Sequence, residues 1–333
     1  MRKPSESNHS PFQRPPIVTE LGLDSLEPGK IHRMRVTMTE NATGNETLLP
    51  AVVLRAQDPK PVVGVTAVIH GNELNGIPVI HRLLSTLNET ALIKGTVVAV
   101  PIVNVPGYMR KQREFEDGVD LNRIMPGSAG GDESQFYAAR FMDRVAREFD
   151  YLIDLHTASA GRVNSLYVRA DMSKPEIAKM ARLISPQIIV HSPEPDGSLR
   201  GACADRGTVA LTVEVGDPQR LQRGLVRAAR LGIQEVLEDL GMIPNVSDTD
   251  DDDIIECKKS YWIYSDRGGF LNVLPKLADT VEEGEVIARL FNVWGDMVRE
   301  YLAPEKGIVV GKSTDPAARA GSRIMHLGIV GKL

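Results

Sequence analysis

The chain is poor in cysteine: two residues in 333, Cys203 and Cys257, far apart and in no metal-binding or redox spacing. That excludes a disulfide framework and fits a reducing compartment. The first sixteen residues are polar and proline-rich, without the apolar core of a signal peptide. No run approaches the roughly 20 apolar residues that span a membrane. No cluster of Lys and Arg offsets the net charge of −5, which argues against a nucleic-acid partner. These absences lead to the expectation of a cytoplasmic protein with neither membrane nor nucleic-acid partners, for which a homo-oligomer is the default.

What is present is a globular composition, 42% hydrophobic and 25% charged, with length for one large domain and a smaller one. Apolar runs at 51–54, 62–69, 95–103, 151–155, 166–170, 187–190 and 209–215 read as strands, several apolar on both faces. Amphipathic stretches at 73–87, 133–148, 175–184 and 220–240 read as helices, with Asp132 as an N-cap and Pro175 in a first turn. The alternation predicts an α/β fold, a mostly parallel mixed sheet flanked by helices. A glycine-rich connection of 28 residues, 104–131, is long enough to be functional.

The boundaries follow composition: an extended or disordered segment at 1–16, a large α/β domain at 17–244, an acidic linker at 245–256 and a β-rich domain at 257–333. In the last of these, 277–287 resembles the turn signature of lipoyl- and biotinyl-type barrels, with a second copy at 318–327. The tip, Asn292-Val293-Trp294-Gly295-Asp296, lacks the lysine that carries a cofactor. A barrel-sandwich cap without biotin or lipoate is expected.

His70 and Glu73 follow the 62–69 run, with Gly71 allowing a sharp turn and Glu73 expected in the first turn of the next helix. Carboxyl ends of strands form the ligand crevices of open α/β sheets. A second strand ends in Asp154-Leu155-His156. Together His70, Glu73 and His156 make a His/Glu/His set, the ligand number of a hydrolytic zinc site with one position left for water. Asp154, on the same strand face as His156, is placed to orient a ligand or pair with an arginine. Glu214, near the end of the apolar 209–215 strand, is the candidate base. Arg113 and the run Asp120-Leu121-Asn122-Arg123 bring guanidinium and amide donors suited to a carboxylate or a developing oxyanion.

The motifs His70-Gly71-Asn72-Glu73, Asp120-Leu121-Asn122-Arg123, Asp154-Leu155-His156-Thr157 and Val213-Glu214-Val215-Gly216 occur in an order that resembles the succinylglutamate desuccinylase/aspartoacylase family. The resemblance implies a zinc-carboxypeptidase-like fold with a smaller C-terminal β domain. It implies one zinc ion per chain on His70, Glu73 and His156, with Glu214 as general base. Arg113 would polarise the scissile carbonyl, and Asn122 with Arg123 would clamp a substrate carboxylate. An arginine shortly before the base and a tyrosine from the C-terminal domain are also implied. Arg200 or Arg206 stands for the first, and Tyr261, Tyr264 or Tyr301 for the second. The expected reaction is hydrolysis of a small N-acyl amino acid, acetyl-diaminobutyrate among the variants. The rivals are a metallocarboxypeptidase and a zinc-containing protein that only binds.

Overall fold

A computed structural model describes residues 14–90, 92–193, 197–245 and 254–331. Most of the N-terminal segment and residues 246–253 of the acidic linker lie outside the described residues. The centre of the molecule is a sheet in which Val62–Ala67 pairs in parallel with Thr96–Val100 on one side and Tyr151–His156 on the other. Val209–Val215 pairs in parallel with Tyr151–His156 and antiparallel with Leu166–Ala170. Every residue of Val62–Ala67 and Thr96–Val100 is buried, the pattern of strands covered on both faces.

The cover comes from two sets of helices. Gly76–Thr90, Pro175–Leu183 and Arg223–Asp239 place Val79, Leu83, Ile177, Met180, Ile233 and Leu237 in one core. Glu133–Arg144 and Leu199–Ala204 place Tyr137, Phe141, Leu199 and Cys203 in the other. The capping expectations hold: Asp132 accepts from the Gln135 backbone N–H, and Pro175 opens its helix. Burial pushes both cysteine thiols up to about 12, which removes them as nucleophiles. No helix among the described residues is long and apolar enough to cross a membrane.

Two differences from the sequence reading matter. Ile31–Glu40, not among the runs read as strands, is a ten-residue strand paired antiparallel with Glu46–Arg55. Its alternation of Met34, Val36 and Met38 inward with Arg33, Arg35, Thr37 and Thr39 outward is the mark of a half-buried edge region. The helix expected to start at Glu73 starts at Gly76. The strand before it stops at Ala67, because Val68 adopts φ 58° and turns the chain out of the sheet.

The sheet continues past the linker. Ile255–Tyr264 pairs in parallel with Ile188–His191 and antiparallel with Arg323–Val330, so Ile255 and Glu256 already lie in a strand. Gly307–Ser313 pairs with Arg323–Val330 and with the short strand Arg162–Asn164 from the first part of the chain. A second, four-stranded sheet faces these strands across a core that includes Leu271, Leu290, Val309 and Leu327. The hairpin tip at 292–296 projects from it, with Val293 and Trp294 exposed.

Candidate active site

The chain runs from Val62–Ala67 outward to Thr96–Val100, then jumps across to Tyr151–His156 on the opposite side. Such a reversal opens a crevice at the carboxyl ends of the two inner strands, where His70 and His156 stand. A β-branched residue in the left-handed region is strained by about 1–3 kcal/mol. Val68 is held there by hydrogen bonds from Val103 N–H to Ala67 and from Asn104 N–H to Val68. Gly71 is required by packing more than by its turn: a Cβ there would overlap the Gly107–Tyr108 peptide.

His70, Glu73 and His156 are all buried, and one donor atom from each lies within 4.8 Å of the others. His70 Nδ1 is 2.9 Å from Glu73 Oε1, and His156 Nδ1 is 3.0 Å from Glu73 Oε2. The outer nitrogens are fixed: His70 Nε2 lies 3.0 Å from Asp120 Oδ1, and His156 Nε2 lies 2.8 Å from Asp154 Oδ2. Thr66 donates to the other oxygen of Asp154 at 2.6 Å. A carboxylate behind each imidazole sets the tautomer that leaves Nδ1 for a metal.

Two observations test the fit of a metal. His70 Nδ1 is close to Glu73 but off hydrogen-bonding alignment, so it is a buried nitrogen without a hydrogen-bond partner. Asp120, Asp154 and Glu73 surround the imidazoles with Arg113 as the balancing guanidinium; with neutral imidazoles the cluster is left with two negative charges. Burial opposes protonation of His156, yet Asp154 and Glu73 outweigh it and raise its pKa well above the ordinary value. A divalent cation on the two Nδ1 atoms and Glu73 meets the same need. The donor set fits zinc.

The clamp candidates surround this cluster in a cavity of about 290 Å³. Arg113 donates from Nη1 to Glu73 at 2.8 Å and to Ser159 at 2.6 Å, and from Nη2 to Asp120 at 3.0 Å. Burial pushes the Asp120 carboxyl upward, but the His70 hydrogen bond and the Arg113 charge hold it well below the carboxylate range. Asp120 also caps the short turn Leu121–Arg123 by accepting from Asn122 N–H. Asn122 Oδ1 accepts from Leu199 N–H at 2.8 Å, and Asn122 and Arg123 both face the cavity.

Glu214 lies beside His156 in register and beside Tyr167 on its other flank. Asn164 Nδ2 donates to Glu214 Oε2 at 3.2 Å, and Arg169 Nε is 3.8 Å from Oε1. Burial raises the Glu214 pKa, against the pull of His156 and Arg169. It is a carboxylate poised to take a proton.

Arg200 lines the cavity but spends its guanidinium on the carbonyls of Arg169, Ser192 and Pro193. Arg206 is not among the lining residues; it donates to the Met142 carbonyl at 3.1 Å. The three C-terminal tyrosines also stay out. Tyr261 bonds Glu305, Tyr301 bonds Asp266, and Tyr264 is exposed. The C-terminal strands instead contribute Trp262 and Arg323. The arginine beside Glu214 is Arg169, and its signal was present: a charged residue in the otherwise apolar strand Leu166–Ala170, on the same face as Tyr167.

Residues 59–240 match the succinylglutamate desuccinylase/aspartoacylase catalytic domain, and the chain belongs to that family. It is 23% identical over 338 residues to N-alpha-acetyl-L-2,4-diaminobutyric acid deacetylase of Halomonas elongata, spanning 97% of this chain and 96% of that protein. Among solved structures it is similar to the product-bound ectoine utilization protein EutE (DoeB) of Ruegeria pomeroyi. That likeness has a TM-score of 0.83 at 20% identity and covers 95% of this chain and all of that one. A succinylglutamate desuccinylase/aspartoacylase from Rhodobacter sphaeroides matches with a TM-score of 0.80 at 22% identity, over 94% of this chain and 98% of that one.

Proposed function

We propose that the chain is a zinc-dependent deacylase that hydrolyses the amide of a small N-acyl amino acid. The observation that carries this reading is the convergence of a buried His70–Glu73–His156 donor set and the desolvated Glu214 in one arginine-lined cavity. His70 Nδ1, His156 Nδ1 and the Glu73 carboxylate would hold one zinc ion per chain. When bound, zinc supplies the Lewis acidity that lets water lose a proton near neutral pH.

Glu214 takes that proton and passes it to the leaving nitrogen, so that amide and water become a carboxylate and an amine. Arg113, anchored by Asp120, offers N–H donors to the carbonyl oxygen as it gains negative charge. Asn122 and Arg123 hold the amino acid's carboxylate, Arg123 in bidentate fashion. Trp262 and Arg323 wall the cavity from the C-terminal side, which favours small substrates over peptide chains and sets aside a carboxypeptidase. Buried, unpaired cysteines and the family's small-molecule chemistry support a cytoplasmic setting.

Glu214→Gln tests the reading. It should keep zinc at wild-type stoichiometry while kcat falls about 100-fold or more, and wild-type turnover should vanish on chelation and return with zinc. Full activity in the variant, or turnover indifferent to chelation, would overturn the assignment.

A further inference from the structure

Glu214 stands on its strand between His156 and Tyr167, which fixes its backbone but leaves a long, flexible side chain to be aimed. A general base works only within about 2.6–3.2 Å of the proton it takes. What holds the carboxylate therefore matters as much as what raises its basicity. Arg169 approaches Oε1 only to 3.8 Å, whereas the Asn164 carboxamide donates from Nδ2 to Oε2 at 3.2 Å. Asn164 is buried at the cavity wall.

Asn164 in turn is held from the C-terminal part of the chain. Its strand, Arg162–Asn164, is at the short end of strand lengths, and Gly311, Lys312 and Ser313 stand opposite Asn164, Val163 and Arg162. On either side Ser165 N–H donates to the Val310 carbonyl at 3.2 Å and Thr314 N–H to that of Gly161 at 2.8 Å. The residue facing Asn164 is thus a glycine inside a strand, which weakens the strand and often marks a close approach. A Cβ at Gly311 would stand 2.4 Å from Asn164 Oδ1 and 3.1 Å from the Val163 carbonyl oxygen. The carboxamide occupies the space a side chain would need. Backbone conformation does not demand this glycine, since its φ lies outside the left-handed region. Gly311 itself is not among the residues that line the cavity.

We propose that Asn164, seated on Gly311, is the positioning residue that aims Glu214, so that a C-terminal strand controls the base through one carboxamide. Fixing one carboxylate oxygen fixes the direction of the other. A side chain at Gly311 would turn the carboxamide away and release Glu214 without touching the substrate, the metal ligands or the base. The catalytic part of this inference rests on the deacylase reading above; the chain of contacts from Gly311 through Asn164 to Glu214 does not.

Asn164→Ala and Gly311→Ala, singly and together, test it. Each single variant should lower kcat about tenfold or more on an N-acyl amino acid that the wild type hydrolyses, with KM little changed and zinc at wild-type stoichiometry. In the double variant the added methyl has no carboxamide to displace, so kcat should match that of Asn164→Ala. If Gly311 served only to pack the strands, the two losses would multiply; that result overturns the proposal, as does full activity in either single variant. Should Gly311→Ala not fold, Asn164→Ala alone still decides whether the base is positioned from this side. Urea unfolding of the same variants gives a reading that needs no turnover. Gly311→Ala should lower the midpoint less in the Asn164→Ala background than in wild type, and Asn164→Ala should lower it less in a Glu214→Ala background. Equal shifts in either cycle break the chain of contacts. A wild type that hydrolyses no N-acyl amino acid sinks the deacylase reading and leaves these two cycles to decide the contacts.

Discussion

At the scale of single residues, the working parts of the site are pairs. Asp120 and Asp154 fix the two imidazoles, and Arg169 stands against Glu214. The last pair gives a pH prediction with a definite sign. As the proposed base, Glu214 must be ionised to accept a proton; burial raises its pKa, and Arg169 counteracts the rise. Removing that charge with Arg169→Met should raise the Glu214 pKa further and move the acid limb of the kcat/KM profile to higher pH, with partial recovery in Arg169→Lys. An acid limb unmoved by Arg169→Met would mean that the guanidinium does not set the base. The ligand candidates were legible in sequence because they follow apolar runs in motifs of four. Asp120 stood in such a motif, but nothing in its spacing showed that it bridges His70 and Arg113. Trp262 and Arg323 gave no local signal, since their place on the cavity wall depends on a strand pairing made far along the chain.

At the scale of elements, the turn between Val62–Ala67 and the helix Gly76–Thr90 places His70 and Glu73, two of the three proposed metal ligands. Its shape comes from a strained Val68 and from the close approach of the 107–108 peptide to Gly71. The sequence marked this segment by its glycine but extended the strand to Ile69 and the helix back to Glu73. Periodicity cannot show a tertiary contact that forces one valine to positive φ. The strand Ile31–Glu40 is the opposite case: its alternation lies in the sequence, but the interleaved Arg33, Arg35, Thr37 and Thr39 deny it the continuous apolar run that marked the buried strands. Gly71→Ala tests the role of the turn. The added methyl meets backbone that cannot rotate away, so a loss of about 1–3 kcal/mol is expected. Because the displaced turn carries both His70 and Glu73, zinc stoichiometry should fall with the melting temperature. A variant that melts and binds zinc like wild type would show that the turn is more tolerant than its packing implies.

At the scale of the whole molecule, the two compositional regions share one sheet. Ile188–His191 bonds to Ile255–Tyr264, and Tyr167, Ile188 and Val190 are buried against Cys257, Ile308 and Val310 in one apolar cluster. Residues 17–244 look self-sufficient in composition, with their own strands, helices and both segments that carry the proposed metal ligands. The pairing predicts otherwise. Ending the chain at residue 244 would strip the cover from three large apolar side chains, each worth about 1.5–3 kcal/mol when buried. It would also open the Ile188–His191 edge to pairing with other chains. Against a total stability of about 5–15 kcal/mol, that loss removes most of the margin. The fragment 1–244 should therefore aggregate or lack a cooperative thermal transition, whereas the full chain should melt in one step by both far-ultraviolet circular dichroism and, with Trp294→Phe, Trp262 fluorescence. A monodisperse fragment with a sharp transition would make the C-terminal strands a detachable cap. A single shared transition would make them part of one fold with the cavity, in which the strand pairing brings Arg323 and Trp262, though distant in sequence, to the same cavity as Glu214 and the proposed metal ligands.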